Sequence, residues 1–322
     1  MQCPTGFRTA CIPANHKLEK NEYSPVPYLI RGVMQAFTLL RPTSESELLS
    51  SLSVQGSRLI AGGTDLLPRF RRSGEAPAVL VDLSRLASLR FLQREGDELV
   101  IGARTTQAEL ADSPLVTQFA PALAQAAASV GSPQTRNRAT IGGNLVNASP
   151  AADTLPPLLA FGASVALIGP EGRREQPLDE FLLGPGQTSL QSGEYLHSVR
   201  FPIPSPQSFS TFIKLGKRSG MAIAVASAAA FVQWGAGGCI EVARVALGSV
   251  APTARRSPAV EQSLTGQQLD EVDLDAAAGR VQLDIAPITD VRATAAYRRS
   301  SAQVLLRRAL ESIRRTAREV QL

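Results

Sequence analysis

The stretch from Ala139 to Asp153 reads ATIGGNLVNASPAAD, and a shorter stretch upstream, from Leu59 to Leu67, reads LIAGGTDLL. Both stretches run from an apolar residue into a glycine pair and then into a short polar residue. Adjacent glycines expose consecutive backbone N–H groups and let a bulky anion approach the main chain. The Thr or Asn that follows adds a neutral side-chain donor. A single glycine pair is typical of an ordinary turn, whereas two such turns brought together can bind a diphosphate from both sides.

Both stretches resemble the FAD-binding, or medium, subunit of the molybdenum hydroxylases, a family that includes xanthine dehydrogenase, carbon monoxide dehydrogenase and 4-hydroxybenzoyl-CoA reductase. The resemblance continues through FIKLGKR, from Phe212 to Arg218, and through DVRATAAYRR, from Asp290 to Arg299. It therefore covers nearly the whole chain from Met34 to the C-terminus.

The composition of the 322-residue chain excludes several other classes of protein. Hydrophobic residues make up 44% and charged residues 19%, as is usual for a soluble globular protein. No apolar run approaches the roughly 20 residues needed to cross a bilayer. Cys3, Cys11 and Cys239 are too few and too scattered for a disulfide framework or a cluster site. With only His16 and His197 besides, we predict no metal site in this chain.

Residues 1–33 match no pattern found downstream. They lack the basic start, apolar core and small-residue cleavage site of a secretory signal, so we predict a cytoplasmic protein. Met34 begins the stretch MQAFTLLRP, which resembles the usual start of the family. Residues 1–33 are therefore expected to be an N-terminal extension, or the result of a start codon assigned too early.

The predicted fold class is α+β. The resemblance implies a two-lobed FAD-binding domain of the PCMH/vanillyl-alcohol-oxidase type over residues 34–206, with a small α/β lobe at about 34–88 and a mixed or antiparallel sheet lobe at about 89–206. A C-terminal domain of antiparallel sheet plus helices is expected over residues 207–322. Pro202, Pro204 and Pro206, with two serines, form a stiff linker that marks the boundary.

Local patterns predict the individual elements. Capping-box spacing at Ser44–Glu47 and at Thr106–Glu109 predicts two helix starts, and an alanine-rich stretch predicts one long helix from Leu115 to Val130, capped by Gly131. Apolar runs and turn residues predict strands at 58–61, 79–83, 164–168 and 195–201, a hairpin at 90–102, a short helix at 156–160, and a second hairpin formed by 222–234 and 239–250.

The C-terminus is predicted to be helical, because apolar residues recur there at intervals of three and four. They are Ala302, Leu306, Ala309, Leu310, Ile313 and Ala317. Five arginines lie on or beside the other face: Arg307, Arg308, Arg314, Arg315 and Arg318. This basic run is either a solvated helix face or a docking surface for a partner subunit. Nucleic-acid binding is disfavoured, since no aromatic platform is interleaved with the arginines.

The motifs that are missing bear on function. The sequence contains no nucleophile elbow, no Walker lysine loop and no six-residue dinucleotide fingerprint. We therefore predict no catalytic residue in this chain, so that a bound cofactor carries any reaction. The resemblance implies that FAD lies extended between the two lobes, with its diphosphate on both glycine turns. The residues predicted to bind it are Leu59, Ile60, Ala61, Gly62, Gly63, Thr64, Asp65, Leu66, Val130, Thr140, Ile141, Gly142, Gly143, Asn144, Asp153, His197 and Lys214.

Four of these residues have particular roles or alternatives. Val130 matches a position beside the flavin ring. Ionised Asp153 can accept from ribityl or ribose hydroxyls, or it can be the N-cap of the following helix. Lys214 matches a position that reaches the site from the C-terminal domain, where it stabilises anionic reduced flavin or is simply exposed. His197 aligns near a flavin-contacting position, but in an alternating strand it can instead face solvent.

Two departures from the family pattern bear on the expected metal content of the chain and on the substrate of the complex. Some members carry a four-cysteine cluster in the flavin subunit, but the loop from Gly131 to Ala139 is short and contains no cysteine. We therefore expect no iron–sulfur centre here. Carbon monoxide dehydrogenases usually have His-Ser after the first glycine pair, where this chain has Thr64 and Asp65, which counts against carbon monoxide as the substrate.

The sequence thus predicts an FAD-binding electron-transfer subunit. Its expected partners are a small subunit with 2Fe–2S clusters and a molybdopterin-binding large subunit that hydroxylates an aromatic heterocycle or an aldehyde, with NAD or another molecule as the final acceptor. No membrane or nucleic-acid partner is expected. The alternatives are a stand-alone FAD oxidase or dehydrogenase with its substrate at the flavin, and a non-catalytic binding module.

Overall fold

The computed structural model describes residues 36–218 and 220–321. The expectations for residues 1–33, including those for Cys3 and Cys11, lie outside this range. Within it the chain is a mixture of helices and several small sheets, which confirms the predicted α+β class.

The first lobe is a small three-stranded parallel sheet with strand order β1-β3-β2, as predicted for an α/β unit. Its elements are β1 (Thr38–Leu40), α1 (Glu45–Leu52), β2 (Ser57–Ile60), α2 (Leu66–Ser73) and β3 (Val79–Asp82). The Ser44 hydroxyl caps α1 by accepting from the N–H of Glu47. The Glu47 carboxylate reaches back to the N–H of Thr43 rather than to that of Ser44, so only half of the predicted capping box forms.

The second lobe contains a five-stranded antiparallel sheet with strand order β4-β5-β10-β6-β7. The strands of this sheet are β4 (Leu92–Glu95), β5 (Glu98–Gly102), β6 (Ser164–Gly169), β7 (Gly172–Pro177) and β10 (Tyr195–Pro202). The lobe also contains a separate two-stranded sheet formed by β8 (Leu182–Gly184) and β9 (Gln187–Thr188). Its helices are α3 (Gln107–Asp112), α4 (Pro114–Phe119), α5 (Pro121–Ala128), α6 (Pro133–Arg136), α7 (Ile141–Asn147), α8 (Leu155–Ala160) and α9 (Leu178–Phe181). The predicted first hairpin and the strands at 164–168 and 195–201 are confirmed.

The long helix predicted from Leu115 to Val130 is wrong, because the chain breaks it into α4 and α5. Pro121 has no N–H to donate, and its ring disfavours the helical conformation at the residue before it. Ala120 accordingly has a φ of −142° and a ψ of 57°. The second helix then ends at Ala128, before Gly131.

The predicted cap at Thr106 forms completely. The Thr106 hydroxyl accepts from the N–H of Glu109, and the Glu109 carboxylate accepts from the N–H of Thr106. Replacing Thr106 with Ala leaves a helix N–H without its acceptor, so we expect the free energy of unfolding to fall by about 1 kcal/mol. Urea denaturation measures this change. Thr117→Ala, at an exposed position within α4, is the matched control, and an equal loss in both variants would contradict the capping role.

The C-terminal part is a four-stranded antiparallel sheet with strand order β11-β12-β13-β14, packed against helices. Its strands are β11 (Ser208–Gly216), β12 (Ala224–Trp234), β13 (Ile240–Gly248) and β14 (Arg255–Arg256). Its helices are α10 (Pro258–Leu264), α11 (Leu274–Gly279) and α12 (Ala295–Gln321). The second predicted hairpin is confirmed as β12 and β13, with somewhat narrower bounds.

The predicted C-terminal helix is α12, and all six apolar positions predicted for its inner face are buried. Three of the five arginines bind α11 or the segment just before it. Arg307 pairs with Asp275 at 2.9 Å, Arg318 pairs with Asp270 at 2.8 Å, and Arg314 donates to the carbonyl of Leu269 at 2.8 Å. The basic run is thus partly structural. Of the described helices, none is both long and apolar enough to cross a membrane.

Candidate functional site

A cleft of about 1140 Å³ lies where the two lobes and the C-terminal part meet. We call it the central cleft. Both glycine stretches border it, together with Val130 and Asp153 from the second lobe and a wall from the C-terminal part that includes Ile223, Ser249 and Arg298. Its volume slightly exceeds the usual range for small-molecule sites, which suits a large extended ligand.

The first glycine pair follows β2 directly and leads into α2. The N–H groups of Gly62, Gly63 and Thr64 donate to no oxygen atom within the described ranges. Free N–H groups at a helix start favour an anion, because the helix dipole adds to their partial charge. The φ of +71° at Gly63 is one that glycine adopts at little cost. Gly62 lies against the second lobe, where an added Cβ would be 2.0 Å from the carbonyl oxygen of Arg138.

The second glycine pair differs from the predicted turn, because it forms the first turn of α7. Its N–H groups are already used: that of Gly142 donates to the carbonyl of Ala103 at 2.9 Å, and that of Gly143 donates to the Thr140 hydroxyl at 3.1 Å. Gly142 is buried against Ala103, whereas Gly143 is exposed in the cleft. Asn144 accepts from the Thr154 hydroxyl at 2.6 Å, which leaves its amide N–H groups available.

Arg69, which is not among the residues predicted to bind the cofactor, connects the two glycine stretches. One nitrogen of Arg69 on α2, Nη2, donates to Asp65 at 2.7 Å and to Asn147, at the end of α7, at 2.8 Å. Arg69 also borders the central cleft. It joins the lobes next to the region where both glycine pairs lie, and it contributes a positive charge there.

Asp153 and Lys214 form a nearly buried ion pair at the cleft. Lys214 Nζ is 2.6 Å from Asp153 Oδ2 and also donates to the carbonyl of Ser129 at 3.1 Å. Burial raises the pKa of Asp153 to about 6, although the charge of Lys214 opposes this rise. The other oxygen, Oδ1, is buried and has no hydrogen-bond partner in the described part of the chain. Asp153 is not an N-cap, since Thr154 holds that position in α8.

The wall from the C-terminal part contains charged groups that are bound to one another. Arg298, which is almost fully buried, donates to Asp290 at 2.7 Å and to the carbonyls of Val225 and Ser249 at 2.8 Å each. Burial alone would raise the pKa of Asp290, but the N–H of Arg292, the guanidinium of Arg298 and the N–H of Ala293 hold it well below its usual range. This wall is therefore held rigidly by its own polar groups.

Three predicted site residues lie away from the cleft surface. Ile141 is buried in the core, and Lys214 lies behind Asp153. His197 is half-buried on the other side of β10, 3.9 Å from Glu45 and next to the ring of Phe91. Burial lowers the pKa of His197 against the influence of Glu45.

Sequence reasoning missed Leu196, which borders the cleft in place of His197. The pairing register of β10 shifts between Leu196 and Ser198, so simple alternation along the strand could not place the two side chains. The other predicted positions, from Leu59 to Leu66, together with Val130, Thr140, Gly142, Gly143, Asn144 and Asp153, all border the cleft.

The residues of the cleft fit an FAD molecule. An unpartnered buried carboxylate oxygen at Asp153 needs a hydroxyl donor, the free N–H groups after Ala61 need an anion, and Gly143 leaves open space beside them. No group of three or more His, Cys, Asp or Glu side chains suited to a metal ion occurs among the described residues. The fold and the cleft define a protein that binds an extended, phosphate-containing cofactor between two lobes.

Known proteins with similar sequences show which family the chain belongs to. The family model described as "FAD binding domain in molybdopterin dehydrogenase" matches residues 35–204, and that described as "CO dehydrogenase flavoprotein C-terminal domain" matches residues 211–313. The carbon monoxide dehydrogenase medium chain of Hydrogenophaga pseudoflava is 34% identical over 273 residues, which cover 84% of this chain and 94% of that protein. The xanthine dehydrogenase FAD-binding subunit of Escherichia coli O157:H7 is 34% identical over 257 residues, covering 79% and 87%.

Solved structures agree in fold. Quinoline 2-oxidoreductase from Pseudomonas putida 86 superposes with a TM-score of 0.83 at 29% identity, covering 88% of this chain and 99% of that one. The chain therefore belongs to the FAD-binding medium subunits of the molybdenum hydroxylases. Its relatives are named as subunits of dehydrogenases, and it is a subunit of an oxidoreductase.

Proposed function

We propose that this chain holds FAD in the central cleft and relays electrons within a larger complex. Electrons would come from 2Fe–2S clusters of a small partner subunit, supplied by a molybdopterin-binding large subunit that hydroxylates an aromatic heterocycle or an aldehyde. They would leave to NAD or to another acceptor. Bound FAD would supply the chemistry, since a flavin can take up electrons one at a time, as 2Fe–2S clusters deliver them, and release them singly or in pairs.

The observation that carries this proposal is the unpartnered Oδ1 of Asp153 in a cleft that also offers free N–H groups. The N–H groups of Gly62, Gly63 and Thr64 would hold the diphosphate. The amide of Asn144 would add a neutral donor, and Asp153 would accept from a hydroxyl of the cofactor. In each case the cofactor would supply the hydrogen-bond partner that the protein group lacks.

The alternative is a stand-alone oxidase or dehydrogenase with its own substrate at the flavin. Such an enzyme needs polar groups that converge on the substrate. The charged groups of the C-terminal wall are instead engaged with one another, as Asp290 binds both Arg292 and Arg298. This engagement favours the relay over the stand-alone enzyme.

The relay predicts a specific behaviour of the isolated subunit. Reconstituted with FAD, it should transfer electrons from NADH to an artificial dye but should not oxidise heterocycles or aldehydes, because the residues that would transform them belong to a partner. The measurement is anaerobic spectroscopy of the flavin band. Bleaching of that band by a heterocycle or an aldehyde, without any partner, would support the stand-alone enzyme, and a chain that binds no FAD would contradict the proposal as a whole.

Three finer points belong to the same proposal. We place the boundary between the two domains at residues 206 and 207, as the proline-rich linker suggests, although Phe212 and Phe231 from the second domain join the core of the first. The complex would act in the cytoplasm. Its substrate would be a molecule other than carbon monoxide, because Thr64 and Asp65 follow the first glycine pair.

A further inference from the structure

We propose that Lys214 is a positioning residue that acts on the cofactor through Asp153, holding the carboxylate so that its free oxygen, Oδ1, accepts a hydroxyl of the bound dinucleotide. This inference rests on the proposed binding of FAD in the central cleft. It replaces the expectation that Lys214 itself contacts the flavin.

Asp153 and Lys214 lie at different distances from the cleft surface. Asp153 borders the cleft, whereas Lys214, on β11, does not. The ammonium group of Lys214 is 2.6 Å from Asp153 Oδ2 and 3.1 Å from the carbonyl oxygen of Ser129. The side chains retain only 11% and 9% of their exposure, so neither turns freely toward another partner.

The two oxygens of Asp153 are consequently different. Oδ2 is occupied by Lys214, and Oδ1 is buried without a partner among the described residues. A buried carboxylate oxygen without a donor is costly, and a ligand hydroxyl removes that cost. Lys214 decides which oxygen remains for the ligand and keeps the group ionised, which strengthens the hydrogen bond that Oδ1 accepts.

Lys214 is the charged group that acts on Asp153, although Arg58 and Arg72 also border the cleft. Arg292 and Arg298 pair with Asp290, and Arg69 pairs with Asp65. The hydroxyl of Ser129, just after α5, lowers the pKa of Asp153, but it donates to the carbonyl of Ala126 at 2.7 Å and carries no charge. Among these described groups, Lys214 is thus the cation that faces Asp153, and removing it leaves the carboxylate buried with no counter-charge.

A double-variant cycle tests the proposal, with FAD dissociation constants measured for the full chain at neutral pH. Lys214→Met and Asp153→Asn are each expected to raise the constant by about 10- to 100-fold, as expected for losing a charge-assisted hydrogen bond. The double variant should equal Asp153→Asn within about twofold, since Lys214 acts only through Asp153. Lys214→Arg should recover part of the affinity. Arg308→Met, at an exposed position on α12 that does not border the cleft, is the control and should leave the constant unchanged.

The pH dependence adds an independent measurement. FAD affinity of the unmodified chain should fall as the pH drops through about 6, where Asp153 takes up a proton. Since this pKa lies above the usual 3.8, protonation between the two values stabilises the fold, so the loss is not unfolding. In Lys214→Met the midpoint should move to higher pH, and in Asp153→Asn the dependence should vanish. His197 lies outside the cleft and is unchanged in every variant, so a pH dependence that persisted in Asp153→Asn would contradict the assignment to Asp153.

The outcomes are distinct. One outcome would overturn the inference by showing that Lys214 contacts the cofactor directly. In it, the increases in the FAD dissociation constant caused by the two single substitutions multiply in the double variant, and the pH midpoint of FAD affinity in Lys214→Met equals that of the unmodified chain. A chain that fails to bind FAD at all would instead refute the proposed function on which the inference depends.

Discussion

Replacing Gly143 with Val is expected to abolish FAD retention while leaving the fold intact. The residue is exposed at the cleft, and the nearest protein atom to an added Cβ is the Thr140 hydroxyl oxygen at 3.0 Å. A branched side chain therefore enters open space where the diphosphate is proposed to lie. Excluding the diphosphate removes at least one or two charge-assisted hydrogen bonds, or about 3 kcal/mol, so the dissociation constant should rise about 100-fold or more.

Flavin absorbance after gel filtration measures retention, and circular dichroism measures the fold. The matched control is Gly279→Val on α11, another helical glycine, where the nearest atom to an added Cβ is 3.6 Å away and which does not border the cleft. This control should keep its flavin. Equal flavin content in Gly143→Val and the unmodified chain would exclude the second glycine pair from the site.

Replacing Arg298 with Met is expected to cause the largest loss of stability. The change removes the cation that binds Asp290 and leaves the carbonyls of Val225 and Ser249 without their donor. Each buried carbonyl oxygen left without its donor costs about 1–3 kcal/mol, whereas Asp290 keeps the guanidinium of Arg292 and the N–H groups of Arg292 and Ala293 as partners. Ser249 has a φ of +65° and borders the cleft, so the loss should also loosen that wall.

Urea denaturation measures the free energy of unfolding for this comparison. Arg308→Met on the same helix is the control, since Arg308 is exposed, and a surface change of this kind stays within about 0.5 kcal/mol. Similar losses in both variants would mean that the buried network contributes little. A fall in stability for Arg298→Met with full FAD affinity would limit its role to the C-terminal part.

The amino-acid sequence by itself determined the elements that depend on local chemistry. Caps at Ser44 and Thr106 form because hydroxyl side chains accept from nearby N–H groups wherever a helix begins. The inner face of α12 follows from apolar spacing, as Leu306 and Ile313 show. The family and its cofactor were also evident in the two glycine stretches, because their residue types and order are specific when taken together.

Only the tertiary structure decided how those residues are used. Gly142 and Gly143 look alike in the sequence, yet contact with Ala103 consumes one N–H group while the other glycine faces the cleft. His197 lies outside the cleft whereas its neighbour Leu196 borders it, and the register of β10 shifts between Leu196 and Ser198. The contact of Lys214 with Asp153 joins residues 61 positions apart. Spacing along the chain carries no information about such pairs, since the packing of distant strands and helices brings them together.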